Sequence, residues 1–337
     1  MIRFGLVGAG ILGKLHARVI NEGEEETLVA VADLNNTAAQ AAAKQFCCAG
    51  YNSVEKMLEH EELDAVVVAT PDFAHTDPVC MCLKAGKHVL VEKPLALTMA
   101  DCERIAASKA PELKLMVNFT NRWAAPYAAS KDLIASGRIG KPVMMSAKLN
   151  DTLWVSTEMM HWTHLTSPAH FLGTHDIDLF QWMFDSPIVE VYARGAKQVL
   201  AARGIDTYDG IQTNVKFANG CIGVFENSWI TPNTYPIVAD GRKQVYTEKG
   251  LINLDMGTDQ LTIYREDGAS YPSFYLRYDD NGRVAGAFRQ AHDHFLTAIT
   301  NDVEPEPNFA AGVRVTKVLE AISKSLATGQ VVQPHCD

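Results

Sequence analysis

The sequence predicts an α/β protein of two domains: a parallel sheet built from strand-helix repeats, then an open, mostly antiparallel sheet with helices on one face. Three observations predict this. Up to Phe119, short apolar runs alternate with helical patterns, as parallel strands joined by crossover helices require. After about Asn121 that rhythm yields to longer strand-like runs punctuated by the hairpin turns Ala218-Asn219-Gly220 and Lys249-Gly250. And 337 residues exceed the usual span of one core. The boundary falls between 121 and 122, giving domains 1–121 and 122–337.

The elements follow in order. Residues 2–7 form an apolar run with β-branched members that stops at Gly8, and a helical pattern follows from Ile11 to Asn21. Then come strand Thr27 to Ala32, helix Asn36 to Phe46, a short helix from Ser53 and strand Leu63 to Ala69. Helix Pro78 to Ala85, strand His88 to Val91, helix Met99 to Ala110 and strand Leu113 to Phe119 complete the first half. Thr98 is the expected N-cap of its helix, with Asp101 three residues on. The second half has a helix Pro126 to Ser136, a strand Pro142 to Leu149 and a helical tract Pro168 to Phe184. Strands are expected at Val189 to Val199, Thr207 to Phe217, Cys221 to Ile230, Lys243 to Thr247 and Leu261 to Tyr264. Two helices, from about Ala285 and from Phe309, end it.

Composition narrows the function. A net charge of -10 without a Lys/Arg cluster argues against a nucleic-acid partner. No apolar run approaches the ~18 residues of a membrane span, and Met1 to Gly13 reads as a first strand entering a glycine turn rather than a signal peptide. The cytosol is the expected compartment. The seven cysteines (47, 48, 80, 82, 102, 221, 336) include no CxxC pair, so reduced, buried thiols are expected.

Gly8-Ala9-Gly10-Ile11-Leu12-Gly13 is a GxGxxG that directly follows a strand and opens a helix, with Asp33 twenty residues past its last glycine at the end of the second strand. Gly8 allows the tight turn, Gly10 lets backbone approach a pyrophosphate, and Gly13 lets the helix pack closely. The helix N-terminus at Ile11 and Leu12 favours the phosphate charge. Asp33 suits the adenosine ribose hydroxyls and repels a 2′-phosphate, and Leu34-Asn35-Asn36 offers no cation for one. NAD is therefore expected over NADP in a Rossmann-type domain. Glu92-Lys93-Pro94 puts a lysine at the end of a later strand of the same sheet, where a nicotinamide would lie.

These motifs, with Ala69-Thr70-Pro71-Asp72-Phe73-Ala74-His75 between them, resemble the Gfo/Idh/MocA oxidoreductases in order and spacing. The likeness continues through Asn118 to Trp123, Gly173 to Asp178 and Glu306 to Phe309, nearly the whole chain. It implies a Rossmann domain followed by an α/β domain whose open sheet forms subunit contacts in a homodimer or homotetramer. It also implies hydride transfer between NAD(P) and a sugar, cyclitol or related polyol or keto-sugar. By position it sets Thr70, Pro71 and His75 beside the cofactor, Glu92 and Lys93 at the nicotinamide ribose and substrate, and His175 at the substrate as a second proton carrier. Oxidising an alcohol requires removal of its proton, a task for a lysine in a pocket that excludes water.

The family pattern departs at one place. Many polyol-oxidising relatives have an aspartate one helical turn before the histidine; here stands Phe171, on the stripe Phe171, His175, Asp178, Leu179, Trp182. Lys93 and His175 remain as acid/base pair, with His170 or Asp176 as stand-ins for the carboxylate. Trp154 and Trp162 are candidates for a sugar-facing wall or for core, and Arg122 for a substrate carboxylate or a salt bridge at the domain junction. His161, His164, His170 and His175 lack zinc-helix spacing, and no metal is expected. Two rivals share the fold: a redox-neutral, NAD-dependent glycosidase-type enzyme and a non-catalytic nucleotide- or sugar-sensing protein.

Overall fold

The computed structural model describes residues 1–257, 263–265, 268–270 and 276–334. They divide into two compact units, Met1–Phe119 with Arg277–Thr316, and Thr120–Leu276 with the remainder from Lys317. The division drawn at 121/122 gave everything after it to one domain. Instead, Arg277–Thr316 returns to the first unit.

In the first unit, β1 (Ile2–Val7), β2 (Glu26–Ala32), β3 (Ala49–Tyr51), β4 (Ala65–Val68), β5 (His88–Val91) and β6 (Leu115–Val117) form one parallel sheet in the order β3-β2-β1-β4-β5-β6. Strands buried on both faces must be apolar throughout, and Val66, Val67, Val68, Val89, Leu90 and Val91 are fully inaccessible. The helices between them are α1 (Ile11–Asn21), α2 (Asn36–Phe46), α3 (Val54–His60), α4 (Thr76–Lys84) and α5 (Met99–Ser108). Asn35 caps α2, Ser53 caps α3 and Thr98 caps α5, each accepting from backbone N–H groups of the first turn.

In the second unit, α6 (Ala125–Ala135) precedes β7 (Pro142–Thr152), and α7 (Thr174–Phe184) precedes β8 (Ile188–Ala196), β9 (Gly210–Phe217), β10 (Ile222–Thr231), β11 (Ala239–Thr247) and β12 (Gly250–Asp255). The sheet order is β12-β11-β7-β10-β9-β8, antiparallel except where β7 meets β10. Strand β9 turns Ile211, Thr213, Val215 and Phe217 inward and the residues between them outward, the alternation of a sheet covered on one side. Phe180 and Phe184 of α7 pack on Phe225 and Phe217 of that covered face. Helices α8 (Ala287–Thr300) and α9 (Phe309–Thr328) close the chain, the residues of α9 being divided between the units at Thr316.

Of the strand expected at Leu261 to Tyr264, residues 261 and 262 lie outside the described residues, and Ile263–Arg265 is a strand. Cys336 also lies outside them. Cys80, Cys82, Cys102 and Cys221 are buried, but Cys47 is exposed, against the expectation of buried thiols. Burial pushes the Cys82 thiol up to about 12 and the Cys221 thiol up to about 11, so neither is a nucleophile at neutral pH. Among the described residues no helix is long and apolar enough to cross a membrane, and no group of three or more His, Cys, Asp or Glu is placed to hold a metal.

Candidate active site

The sheet order reverses at β1, which lies between β2 and β4, and open parallel sheets bind ligands at the carboxyl ends of strands beside such a reversal. Gly8, Asp33, Thr70 and Lys93 all stand there, one or two residues beyond the ends of β1, β2, β4 and β5. Gly8 has φ +98, and a Cβ on it would lie 2.5 Å from the Ala69 carbonyl oxygen. A Cβ on Gly13 would come within 1.8 Å of the Gly8 carbonyl oxygen, so the glycine turn and the first turn of α1 touch through the space that both leave empty. At Gly10 a Cβ would meet nothing within 4 Å, so the backbone is open where a ligand must approach. Gly10 is also the N-cap of α1 and makes no side-chain cap bond, which leaves the helix end to an anion. Ile11 and Leu12 expose their side chains beside it.

Asp33 is held in place by backbone: Ala9 N–H donates to Oδ2 and Asn35 N–H to Oδ1, both at 2.8 Å. Each oxygen keeps a lone pair for a hydroxyl. Leu34 is 92% exposed and Asn35 is spent on capping α2, so no cation attends a 2′-phosphate there. An open glycine turn, an uncapped helix and an anchored carboxylate fit a dinucleotide without a 2′-phosphate.

Past β4, Thr70 and Pro71 are half-buried, and Thr70 Oγ1 donates to the Ala74 carbonyl at 3.0 Å. His75, expected beside the cofactor, is instead 1% exposed, with Nδ1 2.7 Å from the Pro94 carbonyl and Nε2 2.9 Å from the Thr70 carbonyl. Past β5, Lys93 is half-buried. Glu92, expected at the nicotinamide ribose, is 5% exposed and its Oε1 accepts from His16 Nε2 at 2.9 Å and Asn118 Nδ2 at 2.7 Å. Burial works against the Glu92 charge, but the His16 bond, the nearby charges and the Asn118 bond outweigh it and hold the carboxyl below its ordinary range. Burial likewise lowers His16 despite the pull of Glu92, so at neutral pH a neutral imidazole donates to a carboxylate. His16 was missed by sequence reasoning. Its signal was there: Gly13, His16, Ala17 and Ile20 form the buried stripe of α1.

In the second unit the tract from Pro168 is not one regular helix. Ala169–Gly173 is a π turn, with Thr174 N–H donating back to the Ala169 carbonyl, and α7 starts only at Thr174. This extra residue per turn disrupts the expected stripe. Phe171 packs edge-on to Trp162 at 6.0 Å and lies 6.3 Å from Trp229, against a core of Val155, Met160 and Leu200. Trp162 belongs to that cluster, whereas Trp154 is 38% exposed with its backbone N–H on Asn233 Oδ1. His170 Nδ1 lies 2.8 Å from Ser167 Oγ, His175 is half-buried, and His161 and His164 are exposed.

Two residues expected at the substrate are in buried ion pairs. Asp176 is fully buried with Lys243 Nζ 2.8 Å from its Oδ1, and Arg122 forks onto Asp178 through Nε at 2.9 Å and Nη2 at 2.6 Å. Of the two roles open to Arg122, the structure shows a salt bridge.

A family model described as oxidoreductase family, NAD-binding Rossmann fold, matches residues 2–119, and the GFO/IDH/MocA C-terminal domain matches residues 127–253. The chain is 28% identical to inositol 2-dehydrogenase of Rhizobium meliloti over 97% of both chains. It is 27% identical to 1,5-anhydro-D-fructose reductase of Ensifer adhaerens over 99% of this chain and 98% of the relative's, and 27% identical to inositol 2-dehydrogenase 1 of Saccharopolyspora erythraea over 98% of this chain and 96% of the relative's. Scyllo-inositol dehydrogenase from Lactobacillus casei, solved with bound NAD(H) and scyllo-inositol, shares the fold at TM-score 0.83 and 21% identity, over 99% of each chain.

Proposed function

We propose, from the premise that the chain belongs to the Gfo/Idh/MocA oxidoreductases, that it is an NAD-dependent dehydrogenase or reductase acting on a CH–OH group of a cyclitol, sugar or related polyol, with Lys93 and His175 handling the proton. The observation that carries the reading is the meeting of Gly8, Gly10, Gly13, Asp33, Thr70 and Lys93 at the carboxyl edge of one parallel sheet. Bound there, NAD would supply the hydride acceptor or donor. The glycine turn and α1 would hold its phosphates, Asp33 its adenosine ribose, and Thr70 and Pro71 would flank it. Lys93 removes or returns the proton of the reacting oxygen, with His175 as the second proton carrier. The names of the relatives, an inositol dehydrogenase and an anhydrofructose reductase, support a cyclic polyol or its ketone as substrate. Of the stand-ins for the carboxylate replaced at Phe171, Asp176 is closed off by Lys243, and the role falls to His170.

A screen of inositols, sugars and keto-sugars with NAD(H) and NADP(H), read by nicotinamide absorbance, tests this. Turnover of at least one polyol or ketone is expected, with NAD preferred by roughly tenfold or more, since a 2′-phosphate would face Asp33. Sugar release without net NADH change would move the reading to a redox-neutral enzyme, and NAD binding without any turnover to a sensor.

The open face of the second unit's sheet exposes Met144, Ile222, Tyr246 and Leu251, which stand side by side in register. A patch of this kind is a subunit contact in our reading, and a homodimer or homotetramer is expected. Light scattering that gave the mass of one chain would overturn it.

A further inference from the structure

Lys93 sits between two residues that are each pinned from below by a buried imidazole. On one side, Glu92 is fixed by His16 from α1 and by Asn118 just after β6. On the other, the Pro94 carbonyl lies 2.7 Å from His75 Nδ1. The same ring reaches the Thr70 carbonyl with Nε2, and Ala69 and Thr70 backbone is what the bare Gly8 turn lies against. A chain of contacts thus runs from the glycine turn through Thr70 and His75 to the segment that holds Lys93.

A neutral imidazole has one N–H to give, yet both ring nitrogens of His75 face carbonyl oxygens. Burial holds the ring below the usual histidine range, against the pull of its bond to Pro94 and of the Asp72 and Glu92 carboxylates. At neutral pH a single arm therefore donates, and the shorter contact is that to Pro94.

We propose that His75 is a positioning residue for Lys93, and that it acts by donating from Nδ1 to the Pro94 carbonyl. It touches neither cofactor nor substrate in this role. Its effect is to hold the backbone after the lysine, as His16 and Glu92 hold the backbone before it, so that the amine keeps one place relative to the glycine turn. The inference deepens the reading of Lys93 as proton carrier and rests on it for its catalytic meaning.

Two substitutions separate the arms. An asparagine amide reaches about where Nδ1 lies, and a glutamine amide about where Nε2 lies. His75→Asn therefore keeps the Pro94 bond and loses the Thr70 contact, while His75→Gln does the reverse. Competitive labelling of amines in the unliganded protein, read by peptide mass, reports the reactivity of Lys93, with the exposed Lys14 as internal control.

Relative to Lys14, Lys93 labelling in His75→Gln is expected to change by about threefold or more, and in His75→Asn to stay within about twofold of wild type. NADH affinity, read by fluorescence, stays within about twofold in both. In the polyol assay kcat falls at least about tenfold in His75→Gln with KM little changed, and His75→Asn restores most of it. Equal effects of the two variants, a wild-type result for His75→Gln, or rescue by glutamine rather than asparagine would each overturn the proposal. If neither variant folds, His75 is a packing residue and the proposal fails.

Lys93→Met in the same assay separates the two readings. If it is inactive while His75→Gln leaves Lys93 labelling unchanged, only the positioning role falls. If it stays active while His75→Gln alters the labelling, the positioning stands and the proton role of Lys93 falls.

Discussion

Lys93→Met is expected to lower kcat by roughly 10²–10⁴-fold while leaving NADH affinity within about twofold of wild type. Methionine keeps the length and most of the packing of the lysine stem and removes only the amine. The segment is held by bonds that do not involve that amine. Glu92 N–H donates to the Val68 carbonyl at 2.9 Å, Asn118 N–H to the Val91 carbonyl at 2.8 Å, and the Pro94 carbonyl faces His75. The dinucleotide cradle at Gly8, Gly10, Gly13 and Asp33 belongs to other loops of the same edge, so its affinity should survive. A loss confined to kcat, measured with the best polyol of the screen, marks a group used in proton transfer. Normal turnover in a folded Lys93→Met protein would end the assignment. A large loss of NADH affinity would instead show that the lysine serves the cofactor.

The parts of this molecule that were legible in the sequence are those dictated locally. Helices α1 and α2 and strand β5 stand at the residues expected, because apolar periodicity and the residues that begin and end each run are local signals. The glycine turn was legible for the same reason: a positive φ at Gly8 and the closeness of Gly13 to its carbonyl are demands on the backbone of a few neighbouring residues. Strands β3 and β12 escaped notice. Ala49–Tyr51 is three half-buried residues that become a strand by pairing with Ala30 to Ala32, and Gly250–Asp255 is an edge strand with Leu251 exposed. The π turn at Ala169–Gly173 also escaped, since one added residue in a turn leaves no mark on composition.

Site residues divide on the same line. Asp33 could be placed because its partners, Ala9 and Asn35, flank the turns at which it sits. Glu92 and Asp176 could not, and Arg122 was left between a substrate carboxylate and a salt bridge, because their partners His16, Lys243 and Asp178 are distant in sequence and each answers to a different buried charge. A carboxylate beside a catalytic motif suggests the ligand when read along the chain. Only the packing shows that a lysine or an imidazole from another element has reached it first. The return of Arg277–Thr316 to the first unit is nonlocal in the same sense, for Phe288 and His292 of α8 meet His16 and Glu26 there.

Lys243→Ala is expected to destabilise the protein by about 3–5 kcal/mol, enough to lower the melting temperature by roughly 10 °C. Lys243 is 2% exposed and Asp176 fully buried, with 2.8 Å between Nζ and Oδ1, so removing the ammonium strands a carboxylate in the interior. Burial alone would favour the neutral amine, but the Asp176 carboxylate and the Tyr127 phenol outweigh it and raise Lys243 above the usual lysine range. The sign follows: a group raised on folding stabilises fully below its unfolded value, so the contribution is present at neutral pH and is lost only as pH climbs through the raised value. Tyr127 cannot take over as a charge, since burial pushes its phenol up to about 12. What matters is the unpaired charge rather than the pair itself, for burying two charges costs about as much as their attraction returns. The double variant Lys243→Met with Asp176→Leu should therefore recover most of the loss, whereas Lys243→Met alone should not. Thermal melts of the three proteins decide it: if Lys243→Met alone melts with wild type, the ion pair carries none of the stability assigned to it.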